Sequence, residues 1–282
     1  THSTSTSLEF NARLLGGKLY GVGTILREDF ANHNVVTVRH AEWDLEGRVS
    51  IVELLRGSGA GISGRDTGPG EQGERGVSAP AVALVNVYAV NGTSAPYRSP
   101  ENGQTVGTRH DHKIPFHSKL RDECLQLEKR GFDVVVAGDL NVARGQLDGH
   151  PNLRTWPKQH CINRADFNLK FFSKDDNNRA DAHVGQDDPN RGEPSWQGVD
   201  VFRALRGRER KYTYHPRGES EWGSSCDRVD LIVASENLYQ NGRVEDTDIL
   251  DSPQERGTSD HVPLWVKLSL GGSDTCKAGM ME

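Results

Sequence analysis

Near the centre of the chain, the apolar run Val134-Val135-Val136-Ala137 leads into Gly138-Asp139-Leu140-Asn141-Val142-Ala143. Small and β-branched residues suit a buried strand, and Gly138 permits a tight backbone turn at its end. Side chains alternate along a strand, which places Asp139 and Asn141 on one face. A carboxylate beside a neutral amide can polarise a water and hold it against a phosphate, so the pair points to hydrolysis. Two later segments extend the set. Arg228-Val229-Asp230-Leu231-Ile232-Val233 reads as a strand with Asp230 at its start, reached through the turn-like Trp222-Gly223-Ser224-Ser225. Ser259-Asp260-His261-Val262-Pro263-Leu264-Trp265 sets an Asp-His pair at the mouth of a further apolar strand. Histidine transfers protons near pH 7, and a neighbouring carboxylate fixes its tautomer and favours its charged form. Asp139, Asn141, Asp230, Asp260 and His261 all fall at strand ends, where open α/β folds gather their sites.

The ordered set GDLNVA, FR…YTY, RVDLIVAS and SDHVPL resembles the endonuclease/exonuclease/phosphatase superfamily. Within it, GDLNVA is typical of the exonuclease III-like (class II) abasic-site endonucleases. Earlier pieces agree: Tyr20-Gly21-Val22-Gly23-Thr24-Ile25-Leu26, Trp43 to Val49, and Asn86-Val87-Tyr88-Ala89-Val90-Asn91. The resemblance covers roughly Leu19 to Leu268. It implies a two-sheet, four-layer α/β sandwich of the DNase I-like type. It also implies a phosphodiester hydrolase acting on DNA, in the manner of an abasic-site endonuclease or 3′-exonuclease in DNA repair, with Mg²⁺ or Mn²⁺ as cofactor.

Residue by residue, the resemblance gives Asp139 the task of aligning or deprotonating the attacking water, and gives Asn141 that of holding it or a phosphate oxygen. His261 would stabilise charge on the scissile phosphate, Asp230 would hydrogen-bond His261, and Tyr88 would place its hydroxyl near the leaving oxygen. Asp260 would help bind the metal. Arg144, Tyr214 and Asp227 would border the cleft as substrate contacts. This division suits phosphoryl transfer, which needs positioning and electrostatics more than covalent help. Mg²⁺ fits because it prefers oxygen ligands and keeps several waters.

The chain departs from the family pattern in two places. The family opens with an Asn-bearing strand and a segment ending in Gln-Glu, whose Glu is the principal metal ligand; neither has a counterpart before Tyr20. The chain begins Thr1-His2-Ser3 and reads as N-terminally truncated, lacking one sheet-edge strand and the first helix. The second departure is Asp227, where abasic-site enzymes usually place the Trp that helps form an apolar pocket for the flipped sugar. A carboxylate there weakens such a pocket.

At 282 residues, with motifs along most of the length, the chain is expected to form one domain over 19–270. Residues 1–18 are expected to be a disordered or partial segment, 56–80 a flexible Gly-rich loop and 271–282 a frayed tail. Hydrophobic content is 34%, yet apolar strands recur at 49–55, 81–90, 133–138, 229–234 and 262–268. Net charge is −6, so phosphate binding must come from local patches. The best is 200–217, where Arg203, Arg206, Arg208, Arg210, Lys211 and Arg217 face only Asp200 and Glu209. The four cysteines are widely spaced with no Cys-x-x-Cys, which argues against a zinc site or disulfide framework and favours a reducing compartment. An intracellular monomer is expected, with the nucleus among the compartments in view. No apolar stretch is long enough to mark a membrane helix.

A helix is expected over 112–130, with Asp111 as N-cap and Gly131 as its stop. His110, His112 and His117 lack a matching Cys or carboxylate set and read as a surface helix start. Glu46 and Arg48 read as an ion pair supporting the sheet, and Trp43 and Trp265 as core. Two other functions compete with a DNA nuclease: a phosphatase or phosphodiesterase on a small or lipid-linked phosphate, and a nucleic-acid-binding protein with a degenerate catalytic centre. The basic 200–217 segment favours a polyanion over a small ester.

Overall fold

A computed structural model of the chain describes residues 6–15, 18–55, 81–179, 194–218 and 221–270. The expected loop at 56–80 and tail at 271–282 lie outside the described residues. The first part runs β1 (Thr6–Leu15), β2 (Lys18–Arg27), α1 (Glu28–Asn34), β3 (Val35–His40), β4 (Val49–Leu54) and β5 (Ala81–Tyr88). A small pair, β6 (Pro96–Arg98) and β7 (Thr105–Thr108), precedes α2 (Arg109–Lys129) and β8 (Phe132–Asp139). Then come β9 (Gly149–His150), α3 (Gln159–Phe171), α4 (Lys174–Arg179), β10 (Val199–Asp200) and α5 (Val201–Arg206). The chain continues through β11 (Cys226–Asp227), β12 (Asp230–Ala234), α6 (Glu236–Gln240), β13 (Val244–Ile249), α7 (Pro253–Arg256) and β14 (Leu264–Leu268). Thus part of the 1–18 segment is strand, antiparallel to β2.

The central sheet has the order β10-β12-β8-β5-β4-β3. Only β5 and β8 pair in parallel; their neighbours are antiparallel. A parallel pair needs a long crossover, and α2 supplies it. Alternation along the strands divides the core. Val134 and Val136 meet Phe116, Leu120 and Leu127 of α2 and Phe167 of α3, whereas Val135 faces the other way with Val52, Ile232 and the inward side of β14. On that second face the partner layer is made of separate antiparallel pairs, β1–β2 and β13–β14. The fold is thus a mixed α/β sandwich around a multi-stranded central sheet. Gly138 is required within it: its φ is +136°, and a Cβ there would lie 2.1 Å from the Val87 carbonyl oxygen of the adjacent strand.

Several sequence expectations are corrected here. Helix α2 starts earlier than expected, and its N-cap is Thr108: the Thr108 hydroxyl accepts from the Asp111 backbone N–H while the Asp111 carboxylate accepts from Thr108. Asp111 is the third helical residue of a capping box. Gly131 follows the helix with φ +86°, as expected for a stop. His110 and His117 are buried, not on the surface. His117 Nδ1 lies 2.8 Å from Asp166, and burial, against the pull of that carboxylate, drives its pKa down to about 4. Trp265 is 39% exposed because it sits on the outward positions of β14, between inward-facing Leu264 and Val266. Trp43 does pack against the core, and Arg48 Nε donates to Glu46 at 3.0 Å with both residues buried.

The largest correction concerns Arg144. Its side chain is fully buried, with Nη1 2.9 Å from both Asp200 and Asp176, Nε donating to Asn168 and its guanidinium 3.2 Å from the Phe172 ring centre. Arg228 bridges Asp148 at 2.8 Å and Asp200 at 2.6 Å, and Arg203 reaches Asp148 at 2.8 Å. Burial alone would raise Asp148 and Asp200, yet the flanking guanidiniums hold both below the ordinary carboxylate range. Arg144 is therefore a structural ion, away from substrate. The basic 200–217 segment is likewise largely spoken for: Arg206 pairs with Asp246 and Lys211 with Asp248. Replacing Arg144 with Met should cost about 3 kcal/mol or more in urea denaturation, because Asp176 and part of Asp200 lose their counter-ion. Nucleic-acid affinity of the folded variant should be unchanged; a stable variant that binds nucleic acid poorly would restore Arg144 to the cleft.

Candidate active site

Strand register brings the chemistry together. Tyr88 at the end of β5 pairs with Asp139 at the end of β8, and Asp139 pairs with Asp230 at the start of β12. Three side-chain positions far apart in sequence thus form one row across neighbouring strands. His261 joins the row from the approach to β14, its Nδ1 2.7 Å from Asp230 Oδ2. Asn141 does not reach Asp139 by strand alternation, as the sequence suggested, since β8 ends at Asp139. The chain turns instead: Asn141 has φ +53°, a region Asn tolerates better than most residues. Its backbone N–H and its Nδ2 each donate to Asp139 at 2.8 Å, and Nδ2 also donates to the Ala89 carbonyl.

Two buried groups that the sequence did not flag hold these parts in register. Thr213 is fully buried, and its hydroxyl accepts from both Val229 N–H and Asp230 N–H at 3.0 Å, fixing the start of β12. Its backbone carbonyl accepts from Val262 N–H, tying His261 to the same segment. Lys113 of α2 donates to the carbonyls of Val90, Leu140 and Asn141 at 2.7–3.2 Å. Burial, with Arg48 and against Asp139, pushes its pKa down to about 7.

The electrostatics separate an acid from a base. Burial first, and the charge of Asp230 second, push the Asp139 carboxyl up to about 7, despite His261, the Asn141 N–H and Lys113. A carboxylate whose pKa lies near neutrality is well matched to general-base work. Burial opposes the charged form of His261, but the hydrogen bond and charge of Asp230, with the charges of Asp139 and Asp260, outweigh it and raise its pKa. Imidazolium beside a base is an arrangement suited to holding a phosphoryl oxygen while water is activated.

Above the row lies a cleft of about 340 Å³ lined by Tyr88, Asp139, Asn141 and His261 together with Arg154, Arg164, Tyr214 and Asp227. Tyr214 stacks obliquely on His261, ring centres 5.2 Å apart. Asp227 lies 3.5 Å from Arg154; burial raises its pKa while Arg154 and Arg164 pull it down. Of the proposed substrate contacts, Tyr214 and Asp227 border the cleft and Arg144 does not. Its cations are Arg154 and Arg164, from a stretch with little periodicity. Asp260, the expected metal ligand, is 42% exposed at its side chain and 3.6 Å from Arg217. Among the described residues no group of three or more His, Cys, Asp or Glu could hold an ion, Asp230 and Asp139 being engaged with His261 and Asn141. The described residues do not fit a complete metal site, so no step is routed through one.

No family model matches the chain, and no curated protein matches it. Solved structures do. The catalytic domain of Xenopus laevis APE2 superposes with a TM-score of 0.61 at 17% identity, covering 96% of this chain and 78% of that one. The 3′ phosphatase NExo from Neisseria, bound to product DNA hairpin, gives 0.55 at 17%, covering 94% and 79%. An AP endonuclease from Archaeoglobus fulgidus gives 0.51 at 16%, again covering 94% and 79%. The chain therefore has the fold of the exonuclease III-like enzymes, a DNase I-like α/β sandwich, as the motifs implied.

Replacing Asp230 with Asn removes the group that overcomes burial at His261. The His261 pKa should then fall from above its ordinary value of about 6.5 to below it, read by NMR titration of the imidazole. A pKa that stays raised would mean that Asp139 and Asp260, not Asp230, charge the ring.

Proposed function

We propose that this chain is a phosphodiester hydrolase acting on DNA, in the manner of an abasic-site endonuclease or 3′-exonuclease. The observation that carries the reading is the row Tyr88–Asp139–Asp230 with His261 hydrogen-bonded at its end, beside a cleft that Arg154 and Arg164 also line. Asp139 orients and deprotonates water, with Asn141 donating to both of its carboxylate oxygens and so fixing the plane of the carboxylate. His261, charged through Asp230, binds a non-bridging phosphoryl oxygen and stabilises the charge that builds there. Tyr88 stands on the opposite side, where its hydroxyl can meet the leaving oxygen. The solved neighbours include a phosphatase with DNA product and an AP endonuclease, which supports DNA as the substrate class. Dependence on Mg²⁺ or Mn²⁺ is the part of the reading that rests on the sequence resemblance.

The polar wall favours ends and strands over a bare flipped sugar. Where an apolar pocket would admit an abasic deoxyribose, this cleft presents Asp227, Arg154 and Arg164. That composition supports a second reading within the same chemistry, removal of a terminal phosphate, for which two guanidiniums are suitable anchors.

Assays with Mg²⁺, with Mn²⁺ and with chelator on abasic, nicked and single-stranded DNA, on RNA and on a phosphomonoester test the proposal. Asp139→Asn should keep the fold by circular dichroism and lose at least about a hundredfold in hydrolysis, since the base is lost while the hydrogen-bonding shape remains. A variant that retains most of its activity would remove Asp139 from the mechanism. Asp227→Trp should raise cleavage at abasic sites relative to other DNA; an unchanged preference would mean the sugar pocket is formed elsewhere.

A further inference from the structure

The segment between β9 and α3 carries an aromatic residue in an unusual position. Trp156 is 82% exposed, more than any other large hydrophobic residue described. Single exposed apolar residues are ordinary on protein surfaces, but this one is placed and held. Arg154 and His160 both line the catalytic cleft. Trp156 therefore sits on a short arch whose two feet stand in the cleft wall, within about 7 Å of Arg154 along the backbone. The arch is fastened to the protein below it. Arg164 donates through Nη2 to the Arg154 carbonyl at 2.7 Å and through Nε to the Ala143 carbonyl at 2.7 Å, in the turn that follows Asp139. Cys161 Sγ donates to the Thr155 carbonyl, and His160 N–H donates to the Pro157 carbonyl at 2.9 Å. The carbonyls on either side of Trp156 are thus held, while its ring projects into solvent.

The surroundings select an occupant. Arg154 and Arg164 supply positive charge at the foot of the arch, and Lys158 adds a third cation two residues beyond the Trp. A flat aromatic surface flanked by cations matches an anionic chain that carries flat, weakly polar rings at intervals. We infer that Trp156 is a stacking platform for an unpaired nucleobase of a DNA strand whose phosphate occupies the cleft. The platform grips the strand through a π-face that every base possesses, so it secures the strand without reading sequence. The inference rests on the nucleic-acid reading of the cleft, but it concerns binding and not turnover.

The test is a pair of ligands of equal length and charge: a single-stranded thymidine oligonucleotide, and the same backbone with every base replaced by an abasic analogue. Binding to the full chain is measured in chelator by fluorescence anisotropy of an end label. Trp156→Ala should weaken binding of the base-bearing strand by about tenfold, the size of one base–aromatic stack. It should leave affinity for the abasic strand unchanged, and Trp156→Phe should restore most of the loss. Equal loss on both ligands, or no loss on either, would overturn the platform. Failure of the wild-type protein to cleave any DNA, with the base-dependent loss intact, would defeat the hydrolase reading and uphold this one. Failure to bind either strand would defeat both.

Discussion

The site depends on a buried lattice of guanidinium and carboxylate groups beneath it. Arg144, Arg203 and Arg228 alternate with Asp148, Asp176 and Asp200, all almost wholly removed from solvent. Each ion there would carry a desolvation cost of several kcal/mol alone, so the six positions are mutually dependent. The lattice ties together the chain ends of β8, β10 and β12, strands that are neighbours in the central sheet. Arg144 belongs to the chain leaving Asp139, Asp200 caps α5, and Arg228 precedes Asp230 by two residues. Asp148 also accepts the backbone N–H groups of Arg144 and Gly145, which shapes the turn after β8. The segments that carry Asp139 and Asp230 are thereby held by charge as well as by the hydrophobic contacts of the sheet.

On this footing, strand register brings the ionisable groups together. Putting two carboxyl groups, Asp139 and Asp230, directly opposite one another in an antiparallel pair disfavours charging both, since like charges repel and burial denies them water. The structure resolves this unevenly. Asp230 has His261 as partner, whereas Asp139 receives neutral donors from Asn141. One carboxylate therefore supports a cation and the other is driven toward neutral pKa.

Helix α2 shows how polar residues can hide a simple pattern. Its buried stripe runs His110, Lys113, His117, Leu120, Cys124 and Leu127, spaced alternately three and four residues apart, as one helix face requires. Only the second half of that stripe is apolar. A search for hydrophobic periodicity sees a weak helix beginning late, and reads the histidines as surface. In the fold, the first half of the stripe is buried, where Lys113 meets three carbonyls and His117 meets Asp166. The spacing was present in the sequence; the polar partners that make it tolerable were not visible there.

The sequence by itself determined the apolar strands, the glycine that lets β5 and β8 approach, and the identities of Asp139, Asp230 and His261. These are local properties: β-branched runs, a missing Cβ, and ionisable groups at strand ends announce themselves within a few residues. Only the tertiary structure decided which charges are structural and which face the cleft. Arg144 and Arg164 are both cations in the same weakly patterned stretch, yet one is sealed among Asp200, Asp176 and Asn168 while the other lines the cleft. Trp156 and Trp196 are likewise indistinguishable by type, but one is exposed to solvent and the other is buried against Phe171. The physical reason is that the fate of an ion or a large ring is set by long-range partners. A guanidinium can be buried only where carboxylates from distant elements converge on it, and that convergence exists only once the sheets have formed.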